Sequence, residues 1–242
     1  MTITAPMTAN DIVKRVAAEL GIAKVQSAFQ DGNDAVSQMI TLLNVAGEEL
    51  CLSYPWEFLV QKYSIATAQG QGSYPLPEDF VSMLMQTGWV ENTSLPLGGP
   101  LTAQEWTYLI GRGAAPTTLY ATFRISEGTL NILPQPTPEG LEISFEYMSN
   151  GWVQKANGTR AFEVTEDSDV VLFDRTLITR YLKLKQLEAS GFDTTKAQGD
   201  VNQVYALVTG SDKSARPLDA GGGCGDLVLL GPSNVPFSGF GQ

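Results

Sequence analysis

The sequence contains no histidine. Histidine is the commonest general base and the commonest metal ligand, so Ser-His and Cys-His nucleophile pairs are excluded along with imidazole metal sites. Cysteine is scarce too. Cys51 and Cys224 are far apart and form no CxxC pair, so neither a disulfide framework nor a thiolate metal site is expected. Cys51 falls on an apolar helical face and reads as a small core hydrophobe, whereas Cys224 sits in a glycine-rich tail and reads as a free thiol. Charged residues make up 17% of the chain, below the share of about 25% usual in globular proteins. Positive charge is the scarcer sign: 15 Lys and Arg against 26 Asp and Glu give a net charge of -11. So few cations argue against tight binding to a phosphate backbone, which requires Lys and Arg to displace counterions. No stretch approaches the roughly 20 apolar residues that span a bilayer. The N-terminal MTITAPMTAND has no basic region and no hydrophobic core, so no signal peptide and folding in a cytoplasm are expected.

Apolar periodicity supplies the positive signals. Thr8 and Asp11 form a Thr-x-x-Asp cap ahead of Ile12, Val13, Val16, Ala17 and Leu20, and Gly21 offers a stop. A second helix starts near Asp31 or Asn33, carries Val36, Met39, Ile40, Leu43, Ala46 and Leu50, and ends before Pro55. The middle of the chain reads as β-structure. Trp56 to Thr67 is aromatic and β-branched; Thr118 to Ile125 and Leu130 to Leu133 flank a Glu127-Gly128 turn; Leu141 to Met148 is a further strand. Thr102 and Glu105 cap a short helix to Arg112. Helix returns with Asp167 or Ser168 capping a segment to about Ser190, followed by another from Thr194 to Thr209. Acidic residues crowd the front of the long segment while Arg180, Lys183 and Lys185 fall toward its middle and end, as the helix dipole favours. The expected class is α+β: a helical bundle with an inserted small antiparallel sheet or sandwich and an extended C-terminal arm.

Motifs of chemistry are weak. GGGCG at Gly221 to Gly225 lacks the GK[ST] and the following helix of a phosphate loop, and Gly111 to Pro116 reads only as a helix end and a loop. The neighbouring carboxylates Glu48 with Glu49, and Glu166 with Asp167, point in different directions along a helix and cannot share a proton. Asn157-Gly158-Thr159 matches a glycosylation sequon but reads as a turn. Trp56, Trp89, Trp106 and Trp152 have no basic groove beside them and read as core or interface anchors. No catalytic, cofactor-binding or metal-binding residue is assigned, and the chain is read as a non-enzyme.

Three phrases, in this order, carry a family likeness. They are Trp56-Glu57-Phe58 followed by YPLPEDF at Tyr74 to Phe80, the hairpin and Pro-x-Pro turn from Phe123 to Val153, and the segment Asp167 to Asp193 closing on Gly-Phe-Asp. From about Asp11 to Val208 the chain resembles the head-to-tail adaptor proteins of short-tailed bacteriophages, also called tail tubular protein A or head-completion proteins. The resemblance implies a virion protein at the head–tail junction, made in the host cytoplasm. It implies a twelve-membered ring beneath the portal, touching nozzle or fibre proteins, with no membrane partner. It assigns residues 1–55 and 160–212 to a ring-forming helical domain, 56–159 to an inserted β-rich domain, and 213–242 to a docking arm. Asp167, Asp169, Asp174, Arg180, Lys183 and Lys185 are then candidates for the ring interface or channel. Leu227, Val228, Leu229, Leu230, Phe237 and Phe240 are candidates for portal docking, since an apolar run in a Gly- and Pro-rich tail suits an arm that orders on a partner. The acidic balance would suit a collar past which double-stranded DNA slides without tight binding. The alternative is a small-molecule or carbohydrate-binding β-module of a tail-associated protein, with its aromatics on an exposed platform.

Overall fold

The computed structural model describes residues 7–22, 25–91, 95–111, 121–135 and 141–212. The fold is α+β. In chain order the helices are α1 (Ala9–Leu20), α2 (Asp34–Ser53), α3 (Ala103–Gly111), α4 (Arg175–Ala189) and α5 (Thr195–Asp212). The strands are β1 (Met7–Thr8), β2 (Val60–Ala66), β3 (Ser73–Pro75), β4 (Phe80–Met83), β5 (Trp89–Val90), β6 (Leu95–Pro96), β7 (Thr122–Ser126), β8 (Thr129–Leu133), β9 (Glu142–Ser149), β10 (Val153–Gln154), β11 (Arg160–Ala161) and β12 (Val170–Val171).

The first two helices form where the apolar spacing predicts. The Thr8 hydroxyl accepts the Asp11 N–H at 3.2 Å, and Gly21, at φ 72°, ends α1 in the left-handed conformation. Ile12, Val13 and Val16 are fully buried. Asn33 caps α2 through the Ala35 N–H, and Val36, Met39, Leu43, Ala46 and Leu50 bury against α1 and α4. Cys51 is half-buried and packs at the edge of this core, as its helical position suggested. Gly47 lies among these residues because the indole of Trp152 rests on the helix backbone there.

Two elements begin later than the sequence pattern suggests. Helix α4 starts at Arg175, not at Asp167 or Ser168, with Asp174 as its cap. The stretch before it is drawn into a β-ribbon: β12 pairs with both β1 and β10, and β11 adds to β10. The Asp174 carboxylate accepts the N–H groups of Thr176 at 2.8 Å and Leu177 at 3.1 Å. Asp174→Ala is expected to lower stability by about 1 kcal/mol, read as a shift in the urea midpoint at unchanged slope. Similarly, Trp56 does not open a strand. Its indole N–H donates to the Leu50 carbonyl at 2.7 Å, and a 3-10 turn over Glu57–Leu59 intervenes before β2.

The middle of the chain forms two facing antiparallel sheets. In one, β9 pairs along its length with β2 and on its other edge with β4 and β5, and β6 follows β5. The other is ordered β3-β8-β7. The β7–β8 hairpin turns at Glu127 and Gly128, at φ 51° and 70°, the pair of positive angles that a two-residue turn of matching twist requires. Ile65, Ile143, Phe145 and Tyr147 from the first sheet share one apolar cluster with Tyr74, Phe123, Leu130 and Ile132 from the second. A second cluster joins the helices to Trp56, Leu59, Met148, Trp152, Val153, Val171 and Phe173. The residues around β10 therefore contribute to the helical core.

Helix α3 carries the Thr102–Glu105 capping box expected of it. The Thr102 N–H donates to Glu105 Oε2 at 2.8 Å, and the Glu105 N–H donates to the Thr102 hydroxyl at 3.3 Å. At Asn157-Gly158-Thr159 the Asn157 side chain accepts the Thr159 N–H at 3.0 Å, closing the turn.

Candidate assembly surface

The helical layer is cross-linked by charge. Helices α1 and α4 meet at Glu19, whose carboxylate takes Lys183 at 2.9 Å and Arg180 at 3.6 Å. The Lys183 hydrogen bond, with the two cations nearby, holds the Glu19 carboxyl below its ordinary range despite some desolvation. Helices α2 and α4 meet at Glu49, which pairs with Lys185 at 2.7 Å and accepts the Tyr181 hydroxyl at 2.6 Å. Burial pushes the Glu49 carboxyl up, but the hydrogen bonds from Lys185 and Tyr181 outweigh it and leave the group lowered. Burial and the Glu49 carboxylate push the Tyr181 hydroxyl up.

The acidic residues singled out from the sequence make hydrogen bonds within the chain. Asp167 Oδ1 accepts the N–H groups of Ala28 at 2.9 Å and Phe29 at 3.2 Å, and its Oδ2 accepts the Ser27 hydroxyl. That clamps the loop between α1 and α2. Asp169 is fully buried, which places its side chain off any surface. Its Oδ2 takes Lys155 at 2.6 Å and the N–H groups of Thr165 and Glu166 at 2.8 and 2.9 Å. Burial opposes that charge, but Lys155 and the two N–H donors more than offset it, so the carboxyl lies below its usual range. Asp174 is the α4 cap. Arg180, Lys183 and Lys185 pair within the helical layer and stay partly exposed. The arm residues Leu227, Val228, Leu229, Leu230, Phe237 and Phe240 lie outside the described residues, as does Cys224.

Features that the apolar stripes did not reveal are the open surfaces. One is a groove of about 390 Å³ on the outer side of α2, lined by Phe29, Ile40, Asn44, Val45, Glu48 and Glu163. Its walls are fixed. Asn44 donates to the Val164 carbonyl at 3.3 Å and accepts the Val164 N–H at 2.9 Å, strapping residues 162–165 to the helix. Asp167 fixes the Phe29 side. Phe162, on the same strap, is 58% exposed. A second is the α4–α5 corner, where Arg180, Lys183, Leu187 and Lys196 line a cleft together with Asp193 and Asp200. Phe192, at the turn itself, is 67% exposed. The only hint in the sequence was the Gly-Phe-Asp phrase that closes the long helix.

A third opening, about 580 Å³, lies on the outer face of the β2–β9–β5 sheet beside Trp89. Three of its polar groups are matched to one another: Glu91 Oε1 takes Lys62 at 2.5 Å and the Ser144 hydroxyl at 2.6 Å. Among the described residues, no group of three or more Cys, Asp or Glu could hold a metal, and no helix is long and apolar enough to cross a membrane.

A comparison with curated proteins gave no match. The sequence model of a family described as SU10 adaptor protein matches residues 7–206, which takes in the buried residues of both core clusters and every described helix but the C-terminal end of α5. This match over most of the chain supports the coarser part of the resemblance, a phage adaptor, and the chain belongs to the SU10 adaptor protein family, a family of structural phage adaptors.

Proposed function

We propose that the protein forms a ring joining the portal of a short-tailed phage to its tail and lining part of the DNA channel. The observation that carries this reading is the adaptor family match over residues 7–206. The construction of the helical layer supports it. α1, α2 and α4 are tied by Glu19 and Glu49 to cations on α4, which makes the layer stiff enough to act as one building block. In this reading the helices of residues 1–55 and 160–212 form the ring, with Arg180, Lys183 and Lys185 on its working surface. The β-rich part faces nozzle or fibre proteins. The segment 213–242 docks on the portal through Leu227 to Leu230, Phe237 and Phe240. A net charge of -11 lets DNA pass without being held. Twelve copies is the expected ring number.

The test is sedimentation and negative-stain imaging of the purified protein, alone and mixed with portal from the same phage. The expected result is a discrete annular complex with portal, lost when residues 214–242 are deleted. A monomer indifferent to portal at every concentration would overturn the proposal.

A further inference from the structure

Phe192 is not a loose aromatic. Gly191, at φ 72°, closes α4, with its own N–H on the Glu188 carbonyl at 3.0 Å and the Phe192 N–H on the Leu187 carbonyl at 3.0 Å. One residue later Asp193 opens α5, accepting the Thr195 N–H at 3.0 Å and its hydroxyl at 2.7 Å. A helix stop and a helix start thus fix the backbone on either side of an exposed ring, so little conformational entropy remains to be lost when the ring is buried. The cleft at this corner holds three cations. Lys196 stands in the first turn of α5 and forms no ion pair with any described residue, and Arg180 and Lys183 line the same cleft. Asp193 and Asp200 line it too, and Glu19 takes both Arg180 and Lys183, so Lys196 is the lining cation left without an ion pair among the described residues.

The α2 groove is its complement. The floor is apolar, from Phe29, Ile40 and Val45, and the rim is acidic, from Glu48 and Glu163. The nearby Lys155 ammonium is committed to Asp169 and leaves that acidity unbalanced. Both walls are held by hydrogen bonds before anything binds. The two surfaces lie on different faces: Gln38 and Glu49 of α2 look toward α4, whereas Thr41, Asn44, Val45 and Glu48 look into the groove. A knob on one face and a matching hole on another give a heterologous contact, the kind that closes into rings.

We propose that Phe192 of one copy of this chain seats in the α2 groove of the next, with Lys196 facing Glu48 and Glu163. The inference rests on the ring reading and names its contact. The test places Val45→Cys in one batch of protein and Phe192→Cys in another, both carrying Cys224→Ser. Cys51 can stay, because burial, aided by Glu48, pushes its thiol up to about 12, and it is protonated and inert at neutral pH. Mixed batches are oxidised with and without portal. A disulfide between the two batches, absent from either alone, is the expected result. In parallel, Glu163→Lys and Lys196→Glu should each reduce annular particles at least tenfold, and the two combined in one chain should restore them. Annuli without the link overturn the inference and spare the ring; neither annuli nor link overturns both. A link from Val45→Cys to Val228→Cys in place of Phe192→Cys also overturns it, since the groove would then hold the C-terminal arm.

Discussion

Gly47→Ala is expected to destabilise the protein by about 2–3 kcal/mol, net of a gain of roughly 1 kcal/mol in helix propensity. A Cβ at this position would stand 2.3 Å from two atoms of the Trp152 indole, far inside van der Waals contact. The ring cannot simply retreat. Trp152 is fully buried, its N–H donates to the Phe162 carbonyl at 2.8 Å, and it packs beside Phe173. Calorimetry should show the midpoint falling by roughly 5–10 °C, using the 2–4 °C per kcal/mol typical of this chain length. Trp152→Phe in the Gly47→Ala background should recover part of that loss, because the smaller ring makes room for the methyl. Additive losses in the double variant would mean that the close approach of indole and helix is not the cause. The same hydrogen bond leads to the strap at Phe162, so on the ring proposal Gly47→Ala also lowers the yield of annular particles.

Lys155→Met is expected to cost about 3 kcal/mol at neutral pH. It would leave the Asp169 carboxylate buried, with two N–H donors and no counter-charge, while its Oδ1 already lacks a partner among the described residues. Lys155 keeps some contact with water, which places the figure at the low end for a buried pair. The pH dependence gives a second signature. In the native protein the Asp169 carboxyl is lowered, so its contribution is fully present above the unfolded value of about 4 and is lost as pH falls through the folded one. Without Lys155, its hydrogen bond and its charge no longer hold the group down against burial. The stability gap between the two proteins should therefore narrow as the solution is acidified through pH 4 and below. Urea titrations at neutral and acid pH measure both; a gap independent of pH would show that the loss is one of packing.

The sequence pattern and the structure agree where a local rule sufficed. Thr8, Asn33 and Thr102 announce helix starts because each caps through its own side chain. The Glu127-Gly128 turn announces a hairpin because few residues accept its backbone angles. They part where a long-range partner decides. Asp167 looks like a helix cap, and Ser168 follows it, but its carboxylate is captured by Ala28 and Phe29, far away in the chain. Met7 and Thr8 give no strand signal, and they become one because Val170 and Val171 lie alongside. The groove was illegible for a related reason. Ile40 reads as one more member of the α2 stripe, and it took the strap at Val164 to make Ile40 and Val45 a floor.

The pairing of β1 with β12 also bears on the order in which the chain takes shape. Met7 can find Val171 only after nearly the whole β-region has been made. The pairings β2–β9 and β7–β8 close within that region, so the sandwich is free to form while α1 and α2 still wait for α4. Contacts between distant parts of a chain form late, and domains fold largely as units during synthesis. The helical layer, and with it the clamp at Asp167 and the corner at Phe192, is thus the last part to be completed. A nascent chain stalled before residue 175 would carry a finished sandwich but neither α4 nor the corner at Phe192.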